Sequence, residues 1–154
     1  MLDNLYRQVI MDHYRNKRNF EELDGNHVRK VHYKNPTCGD VMTLYLDLKE
    51  DRVKRAAFIG EGCSISMASA SMMTELIENK SLKEIARLRN AFEQLIRNGD
   101  VTDEVDLEDS LSLQGVHALK ARHNCALMTW QALDKILKDE EDYQIPSIRR
   151  GGGR

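Results

Sequence analysis

The chain has 154 residues, of which 41% are hydrophobic and 31% charged, a balance that suits one globular domain with one core. A formal net charge of −2 with interspersed signs gives no basic footprint for nucleic acid, and no apolar stretch approaches the ~20 residues of a membrane span. The first residues, Met1 to Arg7, lack the basic and then apolar regions of a secretory signal, so the expected location is the cytoplasm, where thiols stay reduced.

In chain order, Leu2, Leu5, Tyr6, Val9, Ile10 and His13 share one helical face, with Asp3 as a candidate N-cap and Arg15, Lys17 and Arg18 at the C-terminal end. A polar stretch from Asn19 to Asn35 follows, and part of His32 to Lys34 is a candidate strand. Met42, Leu44, Leu46 and Leu48 alternate with more polar residues and predict a half-buried strand; Lys49 to Arg52 then turns the chain into a second strand from Val53 to Ile59. After Gly60-Glu61-Gly62, a helix carries Ile65, Ala68, Met72, Leu76 and Ile77. Ser81-Leu82-Lys83-Glu84 has the capping-box pattern and opens a helix that Asn98-Gly99 closes. Residues 100–110 are acidic and read as a solvated loop or insert, and a last helix is expected from about Cys125 to Lys138. The order of helix, strands and helices predicts an α+β fold, with one domain over 1–138 and a flexible tail over 139–154.

Three cysteines make a poor disulfide framework, and their intervals of 24 and 61 residues match no zinc-finger or zinc-ribbon spacing. Their local settings say more. Cys38 is expected at a strand start, and Cys63 and Cys125 at helix N-termini, where the helix dipole favours the metal-binding thiolate. Asp40 lies two residues beyond Cys38, on the same face if both are in a strand. Three thiolates and a carboxylate would complete a tetrahedral zinc shell. The alternative is that the cysteines are small buried hydrophobes and Asp40 a turn residue.

Thr37-Cys38-Gly39-Asp40, Gly60-Glu61-Gly62-Cys63-Ser64-Ile65-Ser66 and Arg122-His123-Asn124-Cys125 together resemble the IscU/NifU N-terminal scaffold family over roughly residues 1–138. The resemblance implies a small antiparallel sheet packed against helices, as in IscU and SufE, with Cys38, Cys63 and Cys125 gathered beside Asp40. It also implies that sulfur arrives from a cysteine desulfurase and passes to downstream iron–sulfur assembly proteins. Two departures point within the family to its SufU branch, which holds zinc and works with the desulfurase SufS. Residues 118–124 lack the proline stretch that a dedicated chaperone reads in IscU, and an acidic segment of about the length of residues 92–112 lies between the second and third cysteines. Cys38 is then the expected sulfur acceptor, and Arg122 a candidate stabiliser of thiolate.

His123 is an alternative fourth ligand to Asp40. His13, His27, His32 and His117 are read as structural, and Met67, Met72 and Met73 as core filler. Tyr6, Tyr14 and Arg15 could contribute to a desulfurase interface, although packing is the commoner use of such aromatics. Three functions compete: a zinc-holding sulfur acceptor, a scaffold on which a transient iron–sulfur cluster is built, and a structural zinc domain.

Overall fold

A computed structural model describes residues 2–37 and 39–144, without the side chains of Leu2 and Asp3. Cys38, the expected sulfur acceptor, and most of the expected tail, residues 145–154, lie outside the described residues. The elements are α1 (Leu2–Arg15), β1 (Val28–Lys34), β2 (Val41–Lys49), β3 (Arg52–Glu61), α2 (Ser64–Ile77), α3 (Leu82–Asn98), 3-10 helices at Glu108–Ala118 and Lys120–Arg122, and α4 (His123–Leu137). Helix α1 begins at Leu2, so Asp3 lies inside its first turn and is not its cap.

The strands form an antiparallel meander in the order β1-β2-β3. Lys49 pairs with Arg52, leaving Glu50 and Asp51 as the hairpin turn. Met42, Leu44, Leu46 and Leu48 are all buried on the face that meets the helices, as their alternation requires. On the opposite face Leu23, Tyr45 and Ala57 form a smaller cluster. β1 begins four residues before the stretch in which a strand was expected. It is an edge strand with exposed Arg29, Lys30, His32 and Lys34, and such charged edges read as loop in sequence because few side chains face the core.

Helix α2 runs through the centre of the molecule and is buried on nearly every side. Its hydroxyls are satisfied internally: Ser69 Oγ donates to the Ala126 carbonyl at 2.7 Å, and Thr74 Oγ1 to the Ser71 carbonyl at 2.9 Å. The predicted capping box opens α3, with Ser81 Oγ accepting from Glu84 N–H and Glu84 Oε1 from Ser81 N–H, both at 3.2 Å. Gly99 ends the helix in the left-handed conformation.

The acidic segment is only partly a solvated loop. From Leu107 onward it packs, burying Ser110, Ser112, Leu113 and Val116, and its 3-10 helix contacts α1, α2, α3 and α4. Packing also continues past the expected boundary at 138: Tyr143 is buried and its hydroxyl donates to Asp134 Oδ1 at 2.7 Å. Among the described residues no helix is long and apolar enough to cross a membrane.

Candidate metal centre

Three segments converge at one end of the sheet: the connection 35–40 between β1 and β2, the β3–α2 junction, and the start of α4. The β1–β2 pairing ends at Lys34 opposite Val41, so Asp40 is a turn residue just before β2, the second of the two placements that the sequence left open. Asn35 organises this connection. Its buried side chain accepts the Thr37 N–H on Oδ1 at 3.0 Å, and its carbonyl accepts the Gly39 N–H at 2.9 Å. Its own N–H donates to the Asp40 carbonyl at 2.8 Å. Gly39 closes the turn at φ +73°, a conformation that side chains other than glycine's rarely tolerate.

Asp40 is buried and its carboxylate turns toward α2. Oδ1 accepts the Cys63 N–H at 3.2 Å, and Oδ2 lies 3.7 Å from Cys63 Sγ. Cys63 is itself the N-cap of α2. Its sulfur accepts the Ser66 N–H at 3.5 Å and lies 3.5 Å from Ser66 Oγ, which also donates to the Cys63 carbonyl at 3.1 Å. The junction is tight enough to require glycine before the cysteine. A Cβ at Gly62 would stand 2.6 Å from Ser66 Oγ and 2.9 Å from Asp40 Cγ.

Cys125 is fully buried in the first turn of α4, two residues after the helix begins. The bond from Ser69 to the adjacent Ala126 carbonyl fixes this turn against α2, and Tyr33 on β1 donates to Gln131 Oε1 at 3.0 Å farther along the helix. Asn124 Nδ2 reaches Thr37 Oγ1 at 3.4 Å, which links the α4 start to the 35–40 connection.

One ligand atom from each of Asp40, Cys63 and Cys125 lies within 4.8 Å of the other two. Zinc at ~2.3 Å from sulfur and ~2.0 Å from oxygen, in tetrahedral geometry, sets a sulfur-to-oxygen edge of about 3.5 Å. The observed 3.7 Å between Cys63 Sγ and Asp40 Oδ2 is close to that edge. Two thiols and a buried carboxylate therefore fit a thiolate-preferring ion such as zinc.

Asp40, Cys63 and Cys125 thus meet as the resemblance implied, and Cys38 lies outside the described residues. His123 does not join them, because its Nε2 is bonded to the His117 carbonyl at 2.8 Å and its ring stacks on His117. Arg122 is exposed at the N-cap of α4. Sequence reasoning missed Asn35 and Ser66. Asn35 carried the weak signal of an Asn-Pro turn, and Ser66 that of a residue three after a helix cap.

The family profile of the NifU-like N terminal domain matches residues 5–139. The zinc-dependent sulfurtransferase SufU of Bacillus subtilis (strain 168) is 47% identical over 140 residues, covering 91% of this chain and 94% of that protein. The iron-sulfur cluster assembly scaffold protein IscU of Thermotoga maritima is 36% identical over 134 residues, covering 87% and 93%. Among solved structures, a SufU from Fervidobacterium islandicum AW-1 superposes with a TM-score of 0.76 at 28% identity, covering 84% of this chain and 94% of that one. The N-terminal region of a nitrogen-fixing NifU-like protein from Brucella abortus shares the fold with a TM-score of 0.80 at 22% identity, covering 92% and 98%.

Proposed function

The chain belongs to the NifU-like N-terminal domain family, and on that premise we propose that it is an iron–sulfur cluster assembly protein of the SufU/IscU type, holding zinc at Cys38, Asp40, Cys63 and Cys125 and accepting persulfide sulfur from a cysteine desulfurase. The observation that carries this reading is the convergence of Asp40, Cys63 and Cys125 within 4.8 Å at one end of the sheet. Cys38 as fourth ligand is supported by its two flanks. Thr37 is linked to Asn124, next to Cys125, and Asp40 binds Cys63. Zinc bound there supplies no redox chemistry and keeps its thiol ligands deprotonated.

The chain's own groups do the rest. Cys63 is held by the Ser66 N–H and the Asp40 carboxylate, and Cys125 is buried in a helix turn pinned to α2, so both are fixed in direction. Cys38 is the acceptor. Its thiolate attacks the outer sulfur of the desulfurase persulfide, a new sulfur–sulfur bond forms at Cys38, and the donor cysteine leaves as thiolate. The exchange needs no external oxidant or reductant. Arg122, at the N-cap of the helix that carries Cys125, supplies positive charge that favours thiolate during this exchange.

The partners this reading calls for are a SufS-like desulfurase and downstream assembly proteins in the reducing cytoplasm, with neither nucleic acid nor membrane involved. Zinc-dependent sulfur transfer is favoured over a scaffold role by the higher identity to the SufU relative, 47% against 36% for the IscU relative. Metal analysis of the purified protein, together with a desulfurase assay with and without it, tests the proposal. About one zinc per chain and a stimulated desulfurase are expected. A brown, iron-loaded protein that leaves the desulfurase unaffected would favour the scaffold function instead.

A further inference from the structure

A second convergence of ligand atoms lies where α1, α2 and the long 3-10 helix meet. His13 of α1 is fully buried, and its Nδ1 stands 2.8 Å from Ser71 Oγ. Ser71, also fully buried, accepts the Arg18 backbone N–H at 2.9 Å, which anchors the hydroxyl and through it the plane of the imidazole. The far nitrogen, Nε2, aims outward at Asp109 Oδ2, 2.8 Å away on the 3-10 helix. Glu75, one turn beyond Ser71 on α2, brings a carboxylate to the same place. One ligand atom from each of His13, Glu75 and Asp109 lies within 4.8 Å of the other two.

The Glu75 and Asp109 side chains are 48% and 57% exposed, so an ion can reach them from solvent. The facing cation is Arg18, whose Nε is 4.0 Å from Glu75 while its other arm bonds Asp12 at 2.6 Å. A histidine whose second nitrogen is tied down by hydrogen bonding is the usual form of a metal-ligating imidazole. One imidazole and two carboxylates suit zinc, manganese or ferrous iron and lack the softness of a thiolate site.

The geometry points to a second divalent-cation site at His13, Glu75 and Asp109, completed by water, which clasps the 3-10 helix Glu108–Ala118 onto α1 and α2. That segment leads through Lys120–Arg122 into α4 and Cys125, so the clasp steadies the approach to the cysteine centre. The site uses none of the cysteine-centre ligands and stands whether or not zinc occupies that centre.

The test is equilibrium dialysis of the full chain against increasing Zn2+, with metal content measured for the parent protein, Glu75→Gln, Asp109→Asn and Cys63→Ser. The two carboxylate variants change exposed side chains and keep the fold. They are expected to weaken one zinc equivalent by about ten-fold or more, while Cys63→Ser leaves that equivalent in place. Amide exchange across residues 108–118 should slow as this equivalent binds to the parent protein and not to Glu75→Gln. Zinc binding that is the same in the parent and both carboxylate variants up to millimolar metal would overturn the site and leave an adventitious ion only.

Discussion

Asp40 works at two points, since one carboxylate oxygen caps the Cys63 N–H and the other faces the Cys63 sulfur. The meeting of Asp40, Cys63 and Cys125 was legible through the family resemblance, since glycine-flanked thiols and a carboxylate alone left open that the cysteines were buried hydrophobes and Asp40 a turn residue. Asn35 and Ser66 were not, because their role exists only once the chain has closed and their polar atoms find backbone partners. Of the two places the sequence left open for Asp40, on the strand or in the turn before it, the structure has the turn: the pairing with β1 stops at Val41, and Gly39 turns the chain at φ +73°. With Cys63 replaced by Ser, the site loses a thiolate and the backing of Asp40, so tight zinc should be lost on dialysis at neutral pH. Acidifying the parent protein should release zinc as the thiolates take up protons. Full retention of zinc by Cys63→Ser would show that the metal is held elsewhere.

Helices with local signatures were the most legible elements, and α3 the clearest. Its capping box holds the Glu84 carboxyl below its usual range through the Ser81 backbone N–H and then the Ser81 hydroxyl. A carboxyl depressed in the folded state stabilises above its unfolded pKa, and that contribution fades as pH falls through the folded value. Ser81→Ala should therefore cost about 1 kcal/mol in urea unfolding at neutral pH and less in acid. An equal cost at both pH values would mean that Glu84 plays no part.

Residues 139–144, the described part of the expected tail, are anchored by a tertiary contact that has no local signature. Arg89 on α3 donates to Asp134 on α4 at 2.9 Å, and buried Tyr143 donates to the same carboxylate, its phenol pushed well above the usual range by burial. Asp134→Ala leaves Arg89 and Tyr143 without this acceptor and should destabilise by about 3 kcal/mol, near the lower end for broken buried pairs because Glu93 still contacts Arg89. Asp134→Asn should cost less. Equal losses for both variants would argue that the negative charge matters there and that the shape and acceptor oxygen kept by Asn do not.

Across the whole molecule, the α+β arrangement followed from the order of periodic segments. The packed 3-10 helix did not, because its buried residues have no regular period. The core is built from α2, α3, α4 and the inner sheet face, with Phe92 and Trp130 stacked inside it, and none of this depends on a metal. The metal-free protein should remain folded but melt at a lower temperature, because an ion that binds only the folded state adds about 2.7 kcal/mol at one hundred times its dissociation constant. The loosening should concentrate at residues 35–40, 62–66 and 123–126, seen as faster amide exchange. Superimposable melting curves with and without chelator would mark the zinc as incidental to the fold.

Where the sulfur goes tests the proposed function most directly. The protein, mixed with a cysteine desulfurase and free cysteine, is digested without reductant, and each cysteine peptide is weighed by mass spectrometry. One added sulfur on the Cys38 peptide, with Cys63 and Cys125 unmodified and no stimulation of the desulfurase by Cys38→Ser, is the predicted result. Sulfur on Cys63 or Cys125 while Cys38 stays bare would contradict it.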